Sequence, residues 1–239
     1  MRTHQLVLHW IERQLSEGRL TVGGRLPAER TLAEQLQVSR TSVREAIRIL
    51  EAMGVVRAGV GSGPEAGTVV ISDPTAALGS ALRLHVATQH LPVSDIVETR
   101  VLLESWAAER AKPDAPELDT AASLLDEMDA VGSAARAGAA KTGSPVDDFL
   151  ALDVRFHLAL ADAAGNAVVS AMMGSLRESI QGYAAELTSN LPDWDATATR
   201  LRAEHREILA AIRNGDGERG AKLVAAHIEG YYREAGVQH

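Results

Sequence analysis

At 239 residues, with 46% apolar and 23% charged side chains, the chain has the makings of a packed core and more length than one small domain needs, so two domains are expected. No cysteine occurs, which excludes disulfide frameworks, thiolate nucleophiles and thiolate metal sites, and leaves nitrogen and oxygen as the only metal donors. The net charge of −8 is uneven: residues 1–72 carry nine arginines against seven glutamates, net +2, and the rest carries fifteen basic against twenty-five acidic residues, net −10. A mildly basic head on an acidic body fits a nucleic-acid reader whose second part stays off the phosphates. Residues 1–14 scatter Arg2, His4, His9 and Glu12 among their apolar residues, unlike a signal peptide. No run approaches the roughly eighteen apolar residues of a membrane span, so a cytoplasmic location without membrane contact is expected.

Val7, Leu8, Ile11 and Leu15 recur at helical spacing and predict a first helix ending near Gly18. Pro27 is placed to open a short second helix with Leu32, Ala33 and Leu36 inward, ending near Gln37. Ser39 is a good N-cap for a third, whose Val43, Ala46, Ile47 and Leu50 face inward while Arg40, Arg44 and Arg48 share one outer face. Beyond Gly54, the β-branched segments Val55–Arg57 and Thr68–Ile71 flank a Gly/Pro-rich run from Gly59 to Gly67, which reads as a hairpin with a long tip. Past Asp73-Pro74 the periodicity is helical throughout, over about 75–90, 93–111, 116–131, 146–163, 168–188, 197–213 and 217–235, with an Ala/Gly/Ser-rich mobile loop expected at 132–145.

The expected fold is therefore mainly α: a winged helix-turn-helix over 1–72, then an all-helical bundle over 73–239. An arginine face on the third helix suits major-groove docking, where guanidinium groups bind guanine or clamp phosphates and the hydroxyls of Ser39, Thr41 and Ser42 reach phosphate oxygens. A solvated helix face carries the same pattern. The glycines at 59, 61 and 63 do not make a nucleotide-binding loop, because such a loop must follow a strand and open a helix.

The words LPAERTLAEQLQVSRTSVREAIRILEAMGVV and GSGPEAGTVV at 26–56 and 61–70 closely resemble the DNA-binding domain of GntR-family regulators. That resemblance implies DNA contacts from Arg30, Arg40 and Arg44, assisted by Thr41 and Ser42, with Gly67 bringing the wing tip into the minor groove. Two positions depart from the family pattern: Gln37 replaces a turn glycine, and the wing tip is longer by several residues.

In the second part, four polar residues occupy inward helix positions. Asp153 and His157 share a stripe with Phe149, Phe156 and Leu160; His205 lies with Leu201, Ile208 and Ile212, and His227 with Leu223, Val224 and Tyr231. A single such histidine is usually a structural residue bonded to a backbone carbonyl. Four coincident cases, one a carboxylate that is costly to bury unpaired, form a nitrogen and oxygen set suited to a divalent metal, Zn²⁺ first, with Ni²⁺ or Mn²⁺ as alternatives. Arg100, on the Ile96 and Leu103 stripe, needs an anion, supplied by Glu104 or by a bound carboxylate.

The segments DIVETRVLLESWAAERA, FLALDVRFHLALADAAGN, EHREILAAIRNGD and AAHIEGYY resemble the FCD ligand-binding domain of the FadR subfamily of GntR regulators. The resemblance implies metal coordination by Asp153, His157, His205 and His227, and a small organic acid bound by Arg100, with Asn166 of the AGN turn adding a hydrogen bond. Together these readings predict a homodimeric transcriptional repressor that grips two half-sites of operator DNA and answers to a small carboxylate. The rivals are a metal-dependent enzyme acting on a small carboxylate, for which Glu204 is the one nameable general base, and a helical assembly module.

Overall fold

The computed structural model describes residues 3–59, 67–88, 90–136, 144–189 and 191–237, and the chain divides into two compact units, Met1–Leu78 and Gly79–His239. In the first unit, helices α1 (Thr3–Ser16), α2 (Glu29–Leu36) and α3 (Arg40–Ala52) precede an antiparallel hairpin of β1 (Val56–Gly59) and β2 (Gly67–Val70). Val56 stands opposite Val70 and Gly59 opposite Gly67. Val7 and Ile11 of α1, Leu32 of α2, and Val43, Ala46, Ile47 and Leu50 of α3 close on Val56 and Val70 to form one small core. Residues 60–66, most of the expected long wing tip, lie outside the described residues.

Pro27 does not open α2, which starts two residues later at Glu29 with Ala28 still extended at φ −54°, ψ 144°. The reason is tertiary: Leu26 N–H donates to Thr68 O at 2.8 Å and Arg25 forms an isolated bridge with Val69, so this stretch is tied to β2 in an extended conformation. Gln37 adopts φ 52°, ψ 42° and closes α2 in the left-handed region, the conformation for which a glycine is normally chosen. Gly54 is required at φ +68°, where a Cβ would also strike the Asp73 carbonyl.

The helix α4 (Pro74–Ala87) leads into the second unit, followed by α5 (Val93–Arg110), α6 (Glu117–Arg136), α7 (Pro145–Ala163), α8 (Ala167–Thr188), α9 (Trp194–Arg213) and α10 (Gly217–Glu234). Asp193 and Asp216 cap α9 and α10 by accepting the Ala196 and Arg219 N–H groups. The core joins Val97 of α5, Leu124 and Met128 of α6, Phe149 and Phe156 of α7, Ile208 and Ile212 of α9, and Ile228 and Tyr232 of α10. The helix α10 packs on α5 and α9, and α7 on α5, α6 and α8, so the inward stripes of α5, α7, α8, α9 and α10 share one interior.

The loop expected from residue 132 begins later, because α6 runs on to Arg136. Gly132 is a contact glycine rather than a breaker: a Cβ there would meet the Arg202 guanidinium at 2.7 Å, and the following alanines favour the helix. Residues 137–143 lie outside the described residues.

Candidate functional site

In the first unit, Ser39 caps α3, its Oγ accepting the Ser42 N–H at 3.0 Å, and this fixes where the arginine face begins. Arg40, Thr41, Arg44 and Arg48 are exposed, as the α3 spacing requires once Val43, Ala46 and Ile47 turn inward. Glu29 reaches from α2 to this face: its Oε2 accepts Arg44 Nε at 2.7 Å and lies 3.9 Å from Arg40 Nη2. Arg30 is also exposed and stands 3.9 Å from Glu34. The outcome is a helix bearing oriented guanidinium groups on its open side, with Gly67 (φ +129°) opposite Gly59 at the loop end of the hairpin.

In the second unit, α7, α9 and α10 bring Asp153, His157, His205 and His227 together, one ligand atom from each lying within 4.8 Å of the others. The Nε2 of His227 is 3.3 Å from Nε2 of His157 and 3.2 Å from Nε2 of His205. Asp153 Oδ1 stands 3.2 Å from His205 Nε2 and 3.7 Å from His157 Nε2. Adjacent donors around one metal at about 2.0–2.1 Å would stand roughly 3.0–3.4 Å apart, close to these separations.

Hydrogen bonds behind the cluster fix its tautomers. His157 Nδ1 lies 2.6 Å from Glu104 Oε2, and His227 Nδ1 lies 2.7 Å from Glu204 Oε2. Burial raises the carboxyl pKa of both, but Arg177, Arg100 and His157 hold Glu104 well below its ordinary range, and bonds from His227 and Arg200 lower Glu204. Each ionised carboxylate only accepts, so each Nδ1 carries a proton, and His157, neutral by burial, turns a bare Nε2 lone pair into the cluster.

Burial, with Arg177 adding to it, pushes His157 down to about 3, and burial with His227 pushes His205 down to about 4. Both rings are thus neutral donors at physiological pH. Asp153 is the reverse case: burial would raise it, but His157, the His205 hydrogen bond and Arg177 hold it well below the ordinary range. None of the three histidines uses a backbone carbonyl among the described residues, and His205 Nδ1 is buried without a partner. Its Nε2 faces the ionised Asp153 Oδ1 at 3.2 Å, so without a metal Nε2 carries the proton and Nδ1 is the bare nitrogen. These donors fit a borderline divalent metal, with Glu104 and Glu204 as the outer carboxylates that fix imidazole ligands.

Arg100 is buried beside the cluster, Nε donating to Glu104 Oε1 at 2.9 Å and Nη1 to the Tyr232 hydroxyl at 2.7 Å. The sequence reading named Glu104 as one of two possible anions, and the structure pairs them. Arg177 was missed. It donates to Asp153 Oδ2 at 2.9 Å and to both Glu104 oxygens at 3.2 and 3.3 Å. Its signal was present, because Arg177 sits on the inward stripe of α8 with Met173 and Ile180, where an unpaired guanidinium is forbidden.

A cavity of about 490 Å³ opens against this group, with Arg100, Asp153, Arg177 and His227 in its wall. Asn166 does not join them. Its Oδ1 accepts the Val168 and Val169 N–H groups at the start of α8, and it is absent from the cavity wall. Glu204, the one candidate base, is engaged by His227 and by Arg200 Nη1 at 2.7 Å, a support position.

Two families match this chain: the FCD domain over residues 95–230, and "Bacterial regulatory proteins, gntR family" over residues 3–65. The chain belongs to the GntR family of transcriptional regulators and carries an FCD domain. It is therefore a regulator of transcription and not an enzyme. It is 29% identical over 92% of its length to the HTH-type transcriptional regulator LutR of Bacillus subtilis, covering 98% of that protein. It is 32% identical over 87% of its length to the Uxu operon transcriptional regulator of Escherichia coli, covering 76% of it. Among solved structures, Streptococcus agalactiae GntR is similar with a TM-score of 0.63 at 28% identity, 97% of each chain being covered. No helix among the described residues is long and apolar enough to cross a membrane.

Proposed function

We propose that this regulator represses its target genes as a homodimer of the FadR subfamily, reading operator DNA with residues 1–72 and sensing a carboxylate at a metal held in residues 73–239. The reading residues are Arg30, Ser39, Arg40, Thr41, Ser42, Arg44 and Gly67. Asp153, His157, His205 and His227 hold the ion, Zn²⁺ by the donor set, with Ni²⁺ and Mn²⁺ able to use the same donors.

The observation that carries the sensing half is the convergence of three buried imidazole Nε2 atoms and one partly buried carboxylate. With both Arg100 and Arg177 positive, Glu104 and Asp153 negative and the imidazoles neutral, as coordination requires, the charges of the donor group cancel. A divalent ion leaves a surplus of +2 facing the cavity, which favours an anion. The metal supplies Lewis-acid attraction for a carboxylate, and Arg100 orients it through its remaining N–H groups. A bound acid then lowers operator affinity only insofar as it prefers the DNA-incompetent state.

The test is capture of genomic fragments by the full-length protein, followed by titration of a captured fragment with acids, metal-loaded and after chelation. Release by an acid in the metal-loaded protein alone is the expected result. Release that ignores chelation would overturn the metal-dependent reading, and binding indifferent to DNA sequence would favour an assembly module.

A further inference from the structure

The cavity is larger, and less polar away from the metal-facing wall, than a short hydroxy acid needs. Its volume of about 490 Å³ corresponds to roughly sixteen waters at about 30 Å³ each, and lies within the range of about 300–1,000 Å³ typical for sites that bury drug-sized ligands. Along α7 its wall runs through Asp147, Leu150, Ala151 and Val154, positions that share one helix face. From Asp147 to Asp153 is six residues, so the wall extends about 9 Å at 1.5 Å per residue.

Between its two ends this wall is apolar. Leu150 and Val154 of α7, Ile180 of α8, Leu201 of α9 and Ile228 of α10 contribute to it. The nearby hydroxyls each already make one hydrogen bond, Tyr231 with Thr188 and Tyr232 by accepting from Arg100. Exposed Arg83 and Asp147 belong to the same wall, as does Glu178, which stands 3.5 Å from Arg83. They give the cavity a charged, solvent-facing rim.

We infer that the effector is a carboxylate carrying a bulky apolar body, aryl or alkyl, that fills the cavity from the metal-facing wall toward the Arg83–Glu178 rim. This rests on the acid-at-a-metal reading above and adds the ligand class. A three-carbon hydroxy acid would leave most of the volume as water against apolar walls, forfeiting the burial that drives binding. A polyhydroxylated sugar acid would set the hydroxyls of its middle carbons against Leu150, Val154, Ile180, Leu201 and Ile228, which offer no hydrogen-bond partner, and an unpaired buried hydroxyl is penalised strongly.

The experiment is calorimetric titration of the full-length protein, after metal analysis shows it zinc-loaded, with L-lactate, D-gluconate and 3-phenylpropionate. The expected outcome is that 3-phenylpropionate binds at least ten-fold more tightly than the other two, and that Val154→Phe, which fills the apolar wall, removes this preference. Leu150→Phe serves the same purpose should Val154→Phe fail to fold by circular dichroism. Equal or tighter binding of lactate or gluconate, or no binding of any of the three, overturns the inference. Repetition after chelation separates the two claims: a ligand preference that survives metal removal keeps the inference and sinks the metal-dependent reading.

Discussion

The Nδ1 of His157 lies 2.6 Å from Oε2 of Glu104, and the same carboxylate accepts Arg177 at 3.2 Å and Arg100 at 2.9 Å. One buried acid thus sets the tautomer of a proposed metal ligand and is paired with two guanidinium groups, whose second charge is balanced by Asp153. Glu104→Gln keeps the shape but removes the charge. Metal affinity should fall about 10- to 100-fold, and stability should fall by about 3–5 kcal/mol, the usual result of unpairing buried charges. Chelator competition and denaturant unfolding measure the two effects; unchanged metal affinity would deny Glu104 its supporting role.

The pH dependence follows from the depressed histidines. His157 at about 3 and His205 at about 4 in the fold compare with about 6.5 for an unperturbed imidazole. Between these values the unfolded chain binds more protons than the folded one, so stability rises with pH there. Their contribution is complete above about 6.5 and is lost as pH falls toward the folded values. Metal retention should weaken in the same direction, since protonated imidazole cannot coordinate. Melting temperatures of chelated and zinc-loaded protein between pH 8 and 5 should both fall on acidification below about 6.5. A rise would contradict the burial of neutral rings.

On the DNA side, Arg40→Ala and Arg44→Ala should leave the fold intact, because both side chains are exposed and their Glu29 partner is a surface group. A lost base contact should cost about 1–3 kcal/mol and relax specificity at one position, whereas a lost phosphate contact should weaken all sequences and flatten the salt slope by about one. Salt titrations of operator binding distinguish the two, and wild-type behaviour from both variants would remove α3 as the reading face.

Arg100→Met keeps much of the packing at a buried position and leaves Glu104 still paired with Arg177 and His157. Operator binding should survive and acid-induced release should be lost, as read by fluorescence anisotropy of labelled DNA. An undiminished response to acid would mean that Arg100 only balances charge.

Much of this was legible in the sequence because the relevant signals are periodic. The stripe of Val43, Ala46, Ile47 and Leu50 located α3 and its arginine face, and polar residues on the stripes of α7, α9 and α10 located the cluster. Tertiary events were not legible. Pro27 looked like a helix start, yet pairing with β2 at Arg25 and Leu26 delays α2. Gly132 looked like a loop, yet it makes room for Arg202. That the Asn166 side-chain oxygen caps α8 was likewise not legible. Arg177 carried the same signal as Arg100, a fixed charge on an apolar stripe, and only the packing of α8 against α5 and α7 revealed its partners.

The most direct test of the central claim is the metal content of the purified full-length protein after zinc reconstitution and desalting, for wild type and for His205→Ala. Close to one ion per chain in wild type is expected, with a higher melting temperature than the chelated form, since an ion that binds only the folded state at a hundred times its Kd stabilises by about 2.7 kcal/mol. His205→Ala should lose stoichiometric binding. A metal-free wild type, or a His205→Ala variant that retains wild-type affinity, would contradict the claim and return these histidines to the role of buried structural residues.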